Sequence, residues 1–500
     1  MSKHVENKFP HTARVLLLGL LVAQVIATIQ VYVSNLDLYH NLSAMQAAGY
    51  LTIPNQCTMP TLQDFAPAFL GGLFFTLSVG AGLTLLSIGA AWIWHRVFSL
   101  NRYILILFSL FWLCSLVVLN HRGFSFGATC YFFAIPPVVF LATQRWTPPP
   151  PVKKRWVHGA VHNIPVVLLA LLWAPQMNKN FFVNFRDTLL LSNPVGIKIN
   201  DFYYDYTLYP AEVFKSLDQK LIKTCTLRDL KKGSLLARME MELLDRDYLA
   251  LETDDAVDLK VVQNGDLLVF RHGGKTILQT RIVDFLSDPA KVLKEFSAKS
   301  DRHIFFRQVT FLSLLVALPL ALYLLLHALI RLLLCFFLEV RTSFFISSTL
   351  CLIVGLSILV PFQYMRWTDM ELKDVPQALA SNSWPERVAA LRIIERKGLE
   401  VSSFPPYPKL LKSPHIAESY WLARALAVSH RPETYRDLLA FLDDPRPNVV
   451  SMAFFALGYR GDSRGVKEIL TRIKTSDHWY CQWYAYKALR ALGWKQRKSN

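Results

Sequence analysis

What the chain lacks narrows it first. Its seven cysteines, Cys57, Cys114, Cys130, Cys225, Cys335, Cys351 and Cys481, form no C-x-x-C pair and no metal-ligand spacing, which excludes the common zinc modules and dithiol redox motifs. No P-loop, no G-x-G-x-x-G after a strand pattern and no H-E-x-x-H occurs, so the usual signatures for nucleotides, dinucleotides and zinc proteolysis are missing. Charged residues make up only 18% of the chain. The apolar stretches contain no Asp or Glu, which argues against a proton-coupled transporter. The segment 34–65 has no Lys or Arg.

What is there is apolar. With 53% hydrophobic residues in 500, the composition is that of a membrane protein carrying soluble parts. Crossing about 30 Å of hydrocarbon takes roughly 20 apolar residues in a helix, which satisfies its own backbone hydrogen bonds. Seven stretches qualify, at 15–33, 66–94, 103–120, 124–142, 158–175, 308–330 and 342–362. The first is preceded by Lys3, Lys8 and Arg14 and holds Val25-Ile-Ala27, a possible signal-peptide cleavage site, but its apolar character continues to Val33. The second is rich in small residues, including Gly71, Gly72, Gly80, Gly82 and Gly89, and is expected to be the most buried helix of the bundle. Leu332 to Val340 is too short to span again and reads as the end of a long sixth helix or an interfacial segment.

Sidedness follows from Lys and Arg in short loops, which are retained in the cytoplasm. An inside N-terminus places eleven such residues inside and two, Arg122 and Arg307, outside. The heaviest inner anchor is 145–156, a basic loop stiffened by Pro148 to Pro151. Segments 176–303 and 363–500 then both lie outside the cytoplasm. The net charge of +17 divides into 19 basic and 19 acidic residues in 176–303, 22 and 14 in 363–500, and 13 and 4 elsewhere, so the excess is largely topological and no nucleic-acid partner is expected. Compact loops and the lack of low-complexity tails point to a bacterial inner membrane. Asn41-Leu-Ser43 is a glycosylation sequon, meaningful only in a eukaryotic host.

The region 176–303 reads as a small α+β domain. Asp266 to Arg271 and Lys275 to Thr280 flank His272-Gly-Gly274, a hairpin signature in which glycine supplies positive φ. Asp258 to Val262 is a third strand, and helices are expected at 210–220 and 288–299. Near its start, Tyr203, Tyr204, Tyr206 and Tyr209 crowd a stretch next to a span, as a surface at lipid-headgroup level does, or as an ordinary core does. Cys57 and Cys225 both fall on the outer side, as a disulfide or as two unpaired thiols.

After the last span the pattern becomes helical with turn punctuation. Asp444-Pro-Arg-Pro-Asn-Val-Val-Ser-Met-Ala-Phe-Phe-Ala-Leu-Gly458 carries a turn, a proline near the helix start and apolar residues at helical spacing. Related patterns recur in 384–398, 414–430 and 477–494, with Ile394, Ala425, Ala456 and Ala491 as equivalent positions at steps of 31, 31 and 35 residues. Partner helices are expected at 434–442 and 466–473. The region 384–495 resembles HEAT repeats, although Pro405, Pro406 and Pro408 interrupt an early unit. The resemblance implies an α-solenoid with an extended face for a partner protein, or a structural lid, and no catalytic residues. Trp479, Tyr480, Trp483 and Tyr484 fall on more than one face of the last helix, which marks them as partner-binding candidates.

Other constellations are weaker. His158 and His162 lie four apart, and His95 and His327 also sit near cytoplasmic helix ends, which makes the four the haem or metal candidates, although border histidines need no ligand. No cofactor is predicted. Gly123-Phe-Ser-Phe-Gly127 matches G-x-S-x-G but opens an apolar span rather than a strand-turn-helix, with His121 as the only neighbouring base. The sequence therefore reads as a polytopic α-helical membrane protein with an inserted α+β domain and a HEAT-like solenoid, contacting lipids and serving as a scaffold for a protein partner rather than as an enzyme. The competing reading is an enzyme or transporter for a lipid, quinone or lipid-linked substrate near the outer leaflet.

Overall fold

The computed structural model describes residues 11–146, 156–178, 180–231, 233–252, 257–367 and 370–498. Most of the basic loop 145–156 lies outside them. The chain is mostly helical with one small sheet. Apolar helices come first: α1 His11–Ala47, α2 Phe65–Phe75, α3 Ala81–Arg96, α4 Arg102–Asn120, α5 Phe126–Trp146 and α6 Trp156–Trp173. The short α7 Phe181–Phe185 is followed by α8 Pro194–Tyr206 and α9 Leu208–Glu212. The mixed segment holds β1 Lys223–Asp229, α10 Ser234–Leu244, β2 Tyr248–Ala250, β3 Leu259–Asn264, β4 Leu267–His272, β5 Lys275–Arg281, α11 Ile282–Ser287 and α12 Pro289–Ser300. Apolar helices return as α13 Ile304–Leu312, α14 Leu318–Leu334 and α15 Val340–Trp367. The chain closes with α16 Val375–Ala380, α17 Trp384–Lys397, α18 Tyr407–Leu410, α19 Ile416–Leu426, α20 Pro432–Ala440, α21 Pro447–Arg460, α22 Gly465–Thr475 and α23 Trp479–Ala491.

Residues cluster into two compact units, one of 1–33, 65–185 and 302–367, the other of 34–64, 186–301 and 368–500. In the first, six helices among the described residues are long and apolar enough to cross a membrane, or seven if the bent pair Asn163–Gln176 and Phe181–Leu190 counts as one. The α2–α3 span is the most buried of them and α4 the least. Small residues explain the close packing. A Cβ on Gly80 would collide with Ala23, one on Gly82 with Ser313 and one on Gly19 with Thr84. Polar side chains add interhelical bonds: Gln24 donates to the Phe69 carbonyl (2.8 Å) and accepts from Thr76 (2.7 Å). α14 ends at Leu334 and a turn precedes α15, so the run 332–340 is mostly a connection between two helices.

In the second unit the sheet order is β2-β1-β3-β4-β5, with β1 parallel to β2 and β3 and the rest antiparallel. The hairpin falls where the sequence places it, with His272 paired to Lys275 and φ of +54° and +77° at Gly273 and Gly274. Phe270, Phe285, Phe296, Met239 and Leu243 fill the core beneath. β1 and β2 carry no turn or hairpin signal in the sequence. Cys225 is buried in β1 and both it and Cys57 carry free thiols.

Helices α17, α19, α21 and α23 pack one against the next. Between α21 and α23, Gly458 is close enough that a Cβ would lie 2.8 Å from Ala488 Cα. Ile394, Ala425 and Ala456 are fully buried at their predicted positions. Ala491 is exposed, because α23 ends there, and the buried residue facing α21 is Ala488 instead. Gly398 and Gly461 close α17 and α21 in the left-handed conformation.

Candidate functional site

Two tyrosines of the first aromatic stretch meet the aromatics of α23. Tyr209 lies 3.9 Å from Trp479 and Tyr204 lies 4.3 Å from Tyr480, ring centroid to centroid. Tyr480 and Trp483 both pack on Tyr484 at 5.0 Å, and Lys487 Nζ sits 3.7 Å over Trp483. Burial pushes Tyr209 up to about 12, against the hydrogen bonds of Thr61 and Thr58. This junction is internal to the second unit: Trp479 is buried, and Tyr480, Trp483 and Tyr484 are half-buried. Tyr203 and Tyr206 stay on the other side of α8, Tyr203 exposed and Tyr206 half-buried against Phe202.

Beside the junction is a charged hub that periodicity does not reveal. Asp187 is completely buried. Its Oδ1 accepts from Arg186 Nε (2.9 Å) and Nη2 (2.6 Å), and its Oδ2 accepts from Arg392 Nη2 (2.5 Å) and Trp421 Nε1 (2.7 Å). The Arg186 guanidinium lies 3.8 Å over the Tyr420 ring. A carboxylate that accepts four bonds from cations and an indole is a structural tie between 186–190 and helices α17 and α19. The adjacent Arg-Asp pair after an aromatic run is the one sequence signal that marks it.

The segment after α1 is tied to α22 and α23 in a similar way. Asn55 Nδ2 donates to the carbonyls of Ile473 (2.9 Å), Lys474 (3.2 Å) and Ser476 (2.8 Å), while its backbone N–H donates to Gln482 Oε1 (2.8 Å). A cleft of about 50 Å³ nearby is lined by Leu42, Met45, Trp479, Trp483, Lys220 and Asp258. That volume holds a water or two. Burial raises the Asp258 carboxyl, but the Lys220 ammonium (2.7 Å) and the Thr224 N–H (3.0 Å) outweigh it and hold it below the usual carboxylate range. Both groups are committed to each other. Asn41 of the sequon lines this cleft from within α1, half-buried.

A second concavity crosses three successive helices. It has a volume of about 290 Å³ and is lined by Glu395 and Arg396 of α17, Arg424, Ala427 and Val428 at the end of α19, and Phe455 and Tyr459 of α21. Arg424 is fixed in its wall, donating to Glu395 (2.9 and 2.6 Å) and stacking 4.8 Å over Trp421 and 5.3 Å over Phe455. Arg396 is exposed, and Tyr459 retains 64% of its accessible surface. Apolar walls with an exposed cation at one end suit a protein segment.

Of the four histidine candidates, the structure describes the side chains of His95 and His327. His327 is buried and shares a 3.2 Å hydrogen bond with Ser348. His95 ends α3, and the side chains of His158 and His162 lie outside the described residues. Among the described residues no group of three or more His, Cys, Asp or Glu is placed to hold a metal ion. Ser125 is buried with its N–H bonded to Asn120 Oδ1 (3.0 Å), and His121 Nδ1 bonds the Val118 carbonyl (2.8 Å). The Val118 carbonyl thus holds the His121 ring at the end of α4, and the G-x-S-x-G stretch lacks the strand before it. Comparison with protein-family models, curated proteins and solved structures finds no match.

Proposed function

We propose that the chain is a membrane scaffold, anchored by about seven spans with its N-terminus cytoplasmic, whose extracytoplasmic helical repeats dock a partner protein. The observation that carries this reading is the groove from Arg396 to Tyr459, open across three consecutive helices of one stack. Its chemistry fits a segment that inserts one or two bulky apolar side chains between Val428 and Tyr459 and presents a carboxylate to Arg396. The successive packing of α17, α19, α21 and α23 supports a HEAT-like arrangement, which offers such a face by construction.

Deleting 384–500 is a poor test, since that segment also satisfies Asn55 and Asp187. Point changes in the groove are better. Full-length protein carrying Tyr459→Asp with Arg396→Glu, purified in mild detergent, is expected to elute and melt like the parent and to lose the protein that co-purifies with it. Retention of that protein at the parental ratio would exclude the groove.

A further inference from the structure

Helix α8 presents an apolar face that the described residues cover only in part, with Phe202 and Tyr206 half-buried. At 100° per residue, Val195, Ile199, Phe202, Tyr203 and Tyr206 fall on one side, and Val195 (68%), Ile199 (54%) and Tyr203 (45%) are widely exposed. The opposite side is locked. Asn193 caps the helix by accepting from the Gly196 N–H (2.8 Å). A Cβ on Gly196 would collide with the carbonyl oxygens of Leu189 and Leu190. Asn200 and Thr207 are buried, and Tyr204 packs on Tyr480. The helix therefore cannot roll to hide its apolar side, and an amphipathic helix held in this way needs an external cover.

We propose that the cover is the surface of the lipid bilayer, with α8 lying in the headgroup layer as an interfacial helix. This rests on the membrane-spanning reading of the apolar helices. Two observations favour lipid over protein. The stripe passes from aliphatic Val195 and Ile199 to Phe202, Tyr203 and Tyr206, and rings with polar tips are the residues that settle at the headgroup boundary. The chain also reaches α8 soon after α6 through the aromatic run Phe181–Phe185, so the covalent link alone keeps the helix within reach of a bilayer that α6 crosses. Lys198, exposed at one flank of the stripe, is placed to reach phosphates, while Asp201 lies further round on the exposed side.

The test uses full-length protein in phosphatidylcholine nanodiscs, with a benzophenone amino acid replacing one residue at a time and lipid adducts read by mass spectrometry. Position 199 or 203 is expected to yield lipid adducts several-fold above position 201 on the polar flank and above Val283, an exposed residue on α11. Position 111, exposed on α4, reports the spans themselves. Adducts at 111 with only background at 199 and 203 overturn the interfacial helix and leave the spans standing. Background at 111 as well overturns both. A protein-sized adduct at 199 or 203, from a second copy or another chain, also overturns the lipid assignment.

Discussion

Replacing Asp187 with Ala removes the carboxylate of the buried hub and leaves its partners in place. Arg186 keeps only 10% of its side-chain surface, so it cannot recover solvent, and the Trp421 N–H loses its acceptor. Arg392, with 31% of its side chain exposed, rehydrates at little cost. Breaking a buried pair by deleting one partner costs about 3–5 kcal/mol, because the remaining charge is uncompensated. At about 2–4 °C per kcal/mol for a large domain, the unfolding midpoint falls by roughly 6–20 °C. The assay is thermal unfolding of detergent-solubilised full-length protein followed by tryptophan emission, which Trp421 reports from within the hub. The double change Arg186→Met with Asp187→Leu removes both charges and is expected to recover at least half the loss. An Asp187→Ala midpoint within about 2 °C of the parent would refute the hub's role. A double variant as unstable as the single would refute the unpaired-charge mechanism.

Two further outcomes follow from local geometry. His478 precedes α23 with Nε2 3.4 Å from Asp205 Oδ1. Burial lowers His478, but Asp205 and Cys481 outweigh it and raise it to about 9 from an ordinary 6.5. A raised folded-state value means stability fully present below pH 6.5 and lost as pH rises through about 9. Because Asp205 is half-exposed, the loss is at most about 1 kcal/mol. Melting curves between pH 6 and 9.5 are expected to lose that slope in His478→Gln and in Asp205→Asn, and an unchanged slope in both would assign it elsewhere. Gly196→Ala forces a Cβ into two carbonyls and is expected to cost about 1–3 kcal/mol by chemical denaturation, where a neutral result would mean that α8 is free to shift.

How much of this was legible in the sequence depended on how local the cause was. The apolar helices follow from run length, and the β4–β5 hairpin follows from two adjacent glycines at positive φ. The burial of α2–α3 follows from its glycines. What failed was non-local. β1 joins β2 and β3 in parallel, and a crossover leaves no turn signature to read. Trp479 and Tyr480 looked like surplus aromatics on one helix because their partners, Tyr209 and Tyr204, lie far back in the chain. Asp187 is one carboxylate with no periodic neighbour, and its importance appears only when α17 and α19 bring Arg392 and Trp421 to it. Ala491 failed for a smaller reason: the alignment of repeats carried the pattern one helical turn past where α23 stops being covered.

The docking reading is tested most directly by photo-crosslinking from the groove itself. A benzophenone amino acid at position 459 in full-length protein, activated in native membranes, is expected to give one discrete protein adduct that position 283 does not give. That adduct should disappear when Arg396→Glu is added at the other end of the groove, and a synthetic peptide of the crosslinked segment should bind the parent but not that variant. Adducts at 459 no stronger than at 283, or adducts indifferent to Arg396→Glu, would contradict a partner seated across the three helices.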